Sequence, residues 1–281
     1  MITSFSARHR TLTTAAILRG ALAALLTAPA GAFAQATYVG PTVYTSRADS
    51  PFETSTFGFC VEDLENGKFD VPGATANGTP IAPGGLTDSV DGDDGTIDGS
   101  GTGGHSYFFG DGSSGIIVNF DDARTHGLPT EVGIVWTDGG LNAGVTFEAF
   151  DADGVSLLGP NGPNAHADAS NNGETAEDRF YGATNPTGIS KIVVSNPGGG
   201  IEVDHIQLNR CILCGDTNGD LDVTATDALF ALNVSVGIET CDPCICDTNA
   251  SGGVNVTDAL AILRTAVGSG PTMNCPACAG L

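Results

Sequence analysis

Short runs in which apolar and polar residues alternate, or which are wholly apolar, recur between residues 37 and 210. Clusters of Gly, Asn, Asp and Pro separate the runs, and nothing between them has a helical period. Such runs, bounded by turn residues, are typical of the strands of an antiparallel sandwich. We therefore predict a mainly β fold, with a jelly-roll-like antiparallel β-sandwich over residues 35–210 and a long ordered loop system over 73–115. The predicted strands are Gly115–Phe120, Glu131–Trp136, Val145–Phe150, Ile189–Ser195 and Ile201–Leu208.

The pattern changes in residues 211–281, where two short helical stripes appear. Leu229, Leu232 and Val236 have the spacing i, i+3, i+7, and Leu260, Leu263 and Val267 repeat it 31 residues later. A short helix must bury an apolar stripe to be stable. We therefore expect Leu232 and Leu263 in the core of a small, duplicated all-α module.

Each predicted helix follows a twelve-residue loop with oxygen side chains at positions 1, 3, 9 and 12. Calcium takes six to eight oxygen ligands, and positions 1, 3, 5, 7, 9 and 12 of such a loop supply them. The spacing predicts Ca²⁺ as a cofactor, whereas the alternative is a pair of acidic turns. The predicted ligands are Asp216, Asn218, Asp220, the Asp222 carbonyl, Thr224 and Asp227, and then Asp247, Asn249, Ser251, the Gly253 carbonyl, Asn255 and Asp258.

The closing Asp, the single following helix and the duplication resemble a type I dockerin over residues 211–281. The resemblance implies calcium-dependent association with a cohesin-like protein domain. In that family, loop positions 10 and 11 and the exposed helix face contact the partner, which implies Thr226, Asn233, Thr257 and Arg264 as partner-binding residues here. Two departures affect the loops: Leu221 stands where the sharp turn favours Gly, and Ser251 removes a charged ligand.

The N-terminal segment predicts export. Arg8 and Arg10 precede an apolar stretch, and Ala32-Phe33-Ala34 has a cleavage pattern, so residues 1–34 are predicted to be a signal peptide and not a membrane anchor. The protein is then secreted or held at the cell surface, without membrane insertion. The formal charge of the whole chain is −23, which excludes nucleic acid as an expected partner.

The eight cysteines are interpreted in the light of this export. An oxidising destination and a small module favour disulfides over the zinc site that CxxC pairs suggest in a cytosolic protein. Spacing does not determine the connectivity. We expect Cys60 to pair with Cys211 and the other six cysteines to pair within residues 211–281.

Chemistry in the sandwich is harder to predict. The region resembles an uncharacterised β-sandwich family of secreted bacterial proteins. The resemblance implies a fold and an extracellular location but no activity. The residues behind that resemblance are Leu86–Asp91 with Asp93–Gly95, Gly133–Gly139, Glu177–Gly182 and Gly199–His205.

No catalytic residue is predicted, because no nucleophile, metal or phosphate motif occurs and no carboxylate pair stands out. Carbohydrate binding is the favoured role, with polysaccharide as a possible partner, Tyr107 and Tyr181 as stacking platforms and Trp136 in the core. One rival is a secreted polysaccharide hydrolase, which a cleft with converging carboxylates would favour. The other is a structural surface protein whose repeat packs on its own chain.

Overall fold

The computed structural model describes residues 35–54, 58–92, 101–121, 127–139, 144–166, 173, 176–220 and 222–276. The predicted signal peptide, Leu221 and Cys278 lie outside these ranges. The strands are β1 Thr37–Val43, β2 Phe59–Glu62, β3 Ala74–Ala76, β4 Thr79–Ile81, β5 Ser106–Phe109, β6 Ile116–Phe120, β7 Glu131–Gly139, β8 Gly144–Phe150, β9 Asn161–Ala165, β10 Arg179–Thr184, β11 Lys191–Ser195 and β12 Ile201–Asn209. The helices are α1 Ala225–Ser235, α2 Pro243–Cys246 and α3 Val256–Ala266.

The strands form two antiparallel sheets, which confirms the predicted β-sandwich. One sheet has the order β1-β10-β7-β12-β5-β4, and β2 also pairs with β12. The other has the order β3-β6-β11-β8-β9. All five runs predicted as strands are strands. Residues 73–115, predicted to be a loop system, also contain β3, β4 and β5.

The core lies between the inner faces of the two sheets. In β8 and β11 every second residue is buried, as expected for strands with one solvated face. Their side chains pack against those of β7 and β12, and the prediction that Trp136 is a core residue is confirmed. The central residues of this inner core include Val118, Ile134, Trp136, Phe147, Val194, Val203 and Ile206.

A second apolar layer covers the outer face of the sheet that contains β7 and β12. Tyr44, Phe52 and Val90, from segments between the strands, pack on Val135 and Phe180. The strands β7 and β12 are therefore buried on both faces, and their outward side chains are enclosed although they point away from the inner core.

The C-terminal helices α1 and α3 pack on each other through small residues. Ala228 and Ala231 of α1 meet Ala259 and Ile262 of α3, with Met273 alongside. Thr224 and Asn255 cap the two helices by accepting hydrogen bonds from the amides of residues 226 and 257.

The expectation that Leu232 and Leu263 belong to the core is wrong. They are 40% and 42% exposed. The closing aspartates of the loops, Asp227 and Asp258, are the third residues of α1 and α3 and are fully buried. A helix that turns this residue toward its loop buries the neighbouring alanines and leaves the leucine stripe outside.

One disulfide links the sandwich to the C-terminal module, and others cross-link residues within the module. The predicted Cys60–Cys211 bond is confirmed, and it joins β2 to the residues just after β12. Cys214–Cys275 and Cys241–Cys246 lie within the module, as expected. Disulfides are typical of exported proteins. Among the described residues, no helix has the length and apolarity that a membrane crossing requires.

Candidate functional site

The first C-terminal loop is organised around two buried aspartates. Asp216 Oδ1 accepts hydrogen bonds from the amides of Gly219 at 2.8 Å and Asp220 at 3.2 Å. Asp227 Oδ1 accepts from the Thr217 amide at 2.8 Å, and its Oδ2 accepts from the Thr224 amide, also at 2.8 Å. Asp227 thus ties both ends of the loop together.

Hydrogen bonding determines the charge state of Asp227. Burial opposes ionisation, but the hydrogen bonds from Thr224 and Thr217 outweigh it and hold the pKa of this carboxyl below its usual value. Asp227 is therefore a carboxylate at neutral pH, buried at the start of α1. Ionised carboxylates are the side-chain ligands that calcium favours.

The second loop repeats this arrangement. Asp247 Oδ1 accepts from the Ser251 amide at 2.9 Å and Oδ2 from the Gly252 amide at 2.8 Å, while Asp258 Oδ2 accepts from the Asn255 amide at 2.9 Å. Both aspartates are fully buried. Ser251 Oγ donates to the Gly253 carbonyl at 3.2 Å, so three predicted ligands of this loop are in contact.

The other predicted ligands lie nearer the surface. Asn218, Asp220, Asp222 and Asn249 are exposed, and Asn218 Nδ2 donates to Asp220 Oδ2 at 2.8 Å. Thr224 and Asn255, at position 9, act as helix caps in this structure. The structure therefore brings the first and twelfth residues of each loop into one hydrogen-bonded turn, with the remaining ligands around its rim.

The exposed faces of α1 and α3 form matching apolar surfaces. Leu229 and Val236 of α1 are 58% and 62% exposed, and their counterparts in α3 have similar values. Of the predicted partner-binding residues, Thr226, Thr257 and Arg264 are exposed and Asn233 is half-buried. We define the helix faces as Leu229, Leu232 and Val236 of α1 and Leu260, Leu263 and Val267 of α3.

A different surface of the module touches the sandwich. The start of the first loop, Asp216–Gly219, lines one cleft together with Phe59 and the Cys60–Cys211 disulfide. Ile212 and Ile245 are buried nearby in a small cluster of their own. Part of the repeat therefore packs on its own chain, and the helix faces remain exposed.

The expected stacking platforms on the sandwich are wrong. Tyr107 is 3% exposed and Tyr181 is fully buried, and both belong to the inner core. Each lies in a strand, β5 or β10, that the sequence analysis did not predict. Alternation along those strands turns the tyrosine inward, and neither ring is accessible to a sugar.

The outer face of the sheet carries a buried polar network around His205. The φ angle of His205 is +41° at an irregularity in the pairing of β12 with β7. The His205 ring contacts Tyr44 Oη through Nδ1 at 3.0 Å and Asp91 Oδ2 through Nε2 at 3.2 Å. Burial lowers the pKa of His205, but the Asp91 hydrogen bond and the nearby carboxylates raise it above its ordinary value overall.

Asp204 completes this network. Its ligand atom lies within 4.8 Å of those of Asp91 and His205, which is close enough for a metal ion. Its oxygens already accept hydrogen bonds from the amides of His205 and Val90 and from the Ser89 hydroxyl. We therefore interpret the group as a satisfied network that anchors segment 89–91 to the sheet. The sequence does not predict this network, because its members are far apart in the chain.

A cleft of about 520 Å³ opens at the end of the same outer face. Phe108, Glu202 and Asp138 are directly opposite one another on β5, β12 and β7. Directly paired residues point to the same side of a sheet, so the three side chains form a row. Leu86 and the Pro197–Gly200 turn complete the lining of the cleft.

Glu202 is only 4% exposed. Its Oε1 accepts from the Asp88 amide at 2.8 Å and from the Ser106 hydroxyl. Burial raises the pKa of Glu202 to about 7, with a further contribution from Asp138. The pair of Glu202 and Asp138 was not predicted from the sequence. The chain has 33 acidic residues, and these two are recognised as neighbours only when the strand register is known.

No protein-family model and no curated protein matches this chain. Among solved structures, it is similar to the K2 cleaved adhesin domain of Lys-gingipain, with a TM-score of 0.35 and 12% identity over 54% of this chain and 97% of that one. The K3 cleaved adhesin domain of Lys-gingipain from Porphyromonas gingivalis has a TM-score of 0.31 and 13% identity over 53% and 98%.

The catalytic domain of a GH87 alpha-1,3-glucanase in complex with nigerose has a TM-score of 0.29 and 17% identity over 59% of this chain and 30% of that one. All three values are too low for the roles of those proteins to be transferred to this chain.

Proposed function

We propose that this is an exported protein whose C-terminal repeat binds calcium and associates with a cohesin-like protein domain, and whose β-sandwich is a binding domain. The observation that carries the proposal is the repeat itself. Two loops 31 residues apart in sequence each bury the first and twelfth aspartates, and each is followed by a helix with an exposed apolar face.

Bound calcium would account for the burial of these aspartates. Asp227, Asp247 and Asp258 form no ion pair within the described part of the chain, and burying a carboxylate without a counter-charge is costly. An acidic turn on the surface has no reason to enclose three such groups. A cation in each loop would compensate them and take up the exposed oxygens at the rim.

The helix faces support docking over a purely self-packed role. The module contacts the sandwich through its first loop. An intramolecular role would therefore use the loop and not the helix faces. Twin apolar faces that remain exposed are typical of protein interaction sites.

The test uses the full exported chain with calcium or with a chelator. Calorimetric titration should show calcium binding, and beads carrying the protein should capture a cohesin-like domain from the secreted or surface fraction of the host only in calcium. The double variant Leu232→Asp/Leu263→Asp should keep calcium binding and lose the capture. The matched control is Val155→Asp/Leu158→Asp, two exposed apolar residues outside the module.

If the calorimetric titration showed no heat of calcium binding, the proposal that the repeat binds calcium would be wrong. Calcium binding with unchanged capture in the double variant would remove the docking surface and favour the self-packed structural role.

A further inference from the structure

The cleft at the end of the outer face is lined by side chains that the sheet holds in defined positions. Three adjacent strands supply Phe108, Glu202 and Asp138 in one row, and neighbouring strands are about 4.8 Å apart. The row is therefore about 10 Å long. The cleft volume of about 520 Å³ is within the range of small-molecule sites, roughly 300–1,000 Å³.

The floor of the cleft is shaped by Gly200. A Cβ atom at this position would lie 2.5 Å from the Phe108 ring, so the ring lies directly over the backbone of the glycine. Leu86, which is 68% exposed, lies on the rim. One part of the cleft therefore offers a flat apolar surface.

The other part offers carboxyl groups. Glu202 is enclosed, and both of its hydrogen bonds are made by Oε1. Within the described ranges no hydrogen bond reaches Oε2, although the residue lines the cleft. Asp138, directly opposite and 5% exposed, is the second carboxyl.

We propose that this cleft binds a neutral oligosaccharide, with one sugar ring against Phe108 and its hydroxyls hydrogen-bonded to Glu202 and Asp138. A sugar has both surfaces that the cleft presents, since the C–H face of the ring is apolar and its edge carries hydroxyls. This inference deepens the binding role proposed for the sandwich, and it is independent of calcium in the repeat.

A metal ion is a poorer match to the cleft. A hard cation seeks six to eight oxygens and gains nothing from Phe108 or Leu86. The charge state points in the same direction, because a Glu202 that retains its proton near neutral pH can donate to a hydroxyl, which a cation cannot use.

The experiment titrates the full chain with cellohexaose, xylohexaose, mannohexaose and laminarihexaose by calorimetry, in calcium and again in a chelator. At least one hexaose should bind, and to the same extent in both buffers. Asp138→Ala and Phe108→Ala should each weaken this binding at least tenfold. Leu86→Asp changes a residue that is 68% exposed, and it should weaken binding too.

The controls are Phe150→Ala and Glu148→Ala on β8, a half-buried aromatic residue and a half-buried acid in the other sheet. Both should bind as the wild type does. The inference is overturned if no hexaose binds at millimolar concentration, or if the binding survives in Asp138→Ala and Leu86→Asp. It is equally overturned if the cleft variants change only calcium binding. Failure of calcium binding in the repeat, with sugar binding intact, would count against the calcium proposal alone.

Discussion

Glu202 is a carboxyl group that the fold keeps protonated into the neutral range. Its pKa is raised from 4.5 to about 7 by burial. The proton is bound more tightly in the folded state, so the stabilisation is complete below pH 4.5 and is lost as the pH rises through 7. At 1.36 kcal/mol per pKa unit, the loss is roughly 3 kcal/mol.

Glu202→Gln should remove this pH dependence. The glutamine oxygen can still accept from the Asp88 amide and the Ser106 hydroxyl, and it carries no charge at any pH. Chemical denaturation at pH 5 and pH 8 should show the variant gaining stability relative to the wild type at the higher pH. The same change at Glu148 should leave the wild-type dependence. If the free energy of unfolding fell equally from pH 5 to pH 8 in the wild type and in Glu202→Gln, Glu202 would be ionised in the folded state at both pH values.

The two loops should differ in calcium affinity. The first has three predicted carboxylate ligands, Asp216, Asp220 and Asp227, and the second has two, because Ser251 stands at position 5. Asp216→Ala should abolish the tighter of two binding events, and Asp247→Ala the weaker. Calorimetric titration of each variant decides this. The reverse order would contradict the charge argument and indicate a cost at Leu221, where the loop departs from glycine.

At the scale of elements, the rotation of α1 and α3 could not be predicted from their apolar stripe. The stripe Leu229, Leu232 and Val236 has the spacing of a buried helix face, yet it is exposed. The aspartate that closes each loop fixes the rotation, and Ala228 and Ala231 follow it inward. Helix periodicity places only apolar residues in the core and does not consider that a carboxylate can be buried. For that reason Leu232 and Leu263 were wrongly expected in the core.

The two helix starts should be partly redundant in docking. Thr226 and Thr257 are exposed at equivalent positions, so a module that rotates by half a turn presents one in place of the other. Replacing either with Arg should cost little affinity, and replacing both should cost about 2 kcal/mol or more. Binding of the captured partner should be measured for wild type, each single variant and the double variant, with calcium binding as the control. A double variant that binds as the wild type does would exclude these helix starts from the interface.

The Cys60–Cys211 disulfide closes the largest loop among the described bonds, with a sequence separation of 151. By chain entropy, a loop of this size is worth about 5 kcal/mol. Cys60→Ser/Cys211→Ser should therefore lower the free energy of unfolding by about 2–5 kcal/mol, measured by urea denaturation. Cys241→Ser/Cys246→Ser, which opens a separation of 5, should cost less. Equal losses would contradict the loop-entropy argument.

For the whole molecule, the fold class followed from the sequence because strands with one solvated face alternate clearly. The five predicted strands include β8 and β11, whose outward residues are half-buried. β1, β5 and β10 are among the seven described strands that were not predicted, since their sequences are short or are interrupted by glycine or proline, and proline favours the edge of a sheet. The row at the cleft depends on the register between β5, β12 and β7, which no local pattern encodes.

Calcium should stabilise the sandwich as well as the repeat. The first loop lines a cleft with Phe59 and the Cys60–Cys211 disulfide, so a loop ordered by calcium supports the end of β12. Binding to the folded state alone adds about 2.7 kcal/mol for each site at a calcium concentration of 100 times its Kd. Scanning calorimetry of the full chain should show a higher Tm in calcium than in a chelator, with one transition for both parts. Asp216→Ala should reduce the shift more than Asp247→Ala, because the second loop is absent from that cleft. If the sandwich melts at the same temperature with and without calcium while the repeat shifts, the two parts unfold independently and the contact at the first loop carries no coupling.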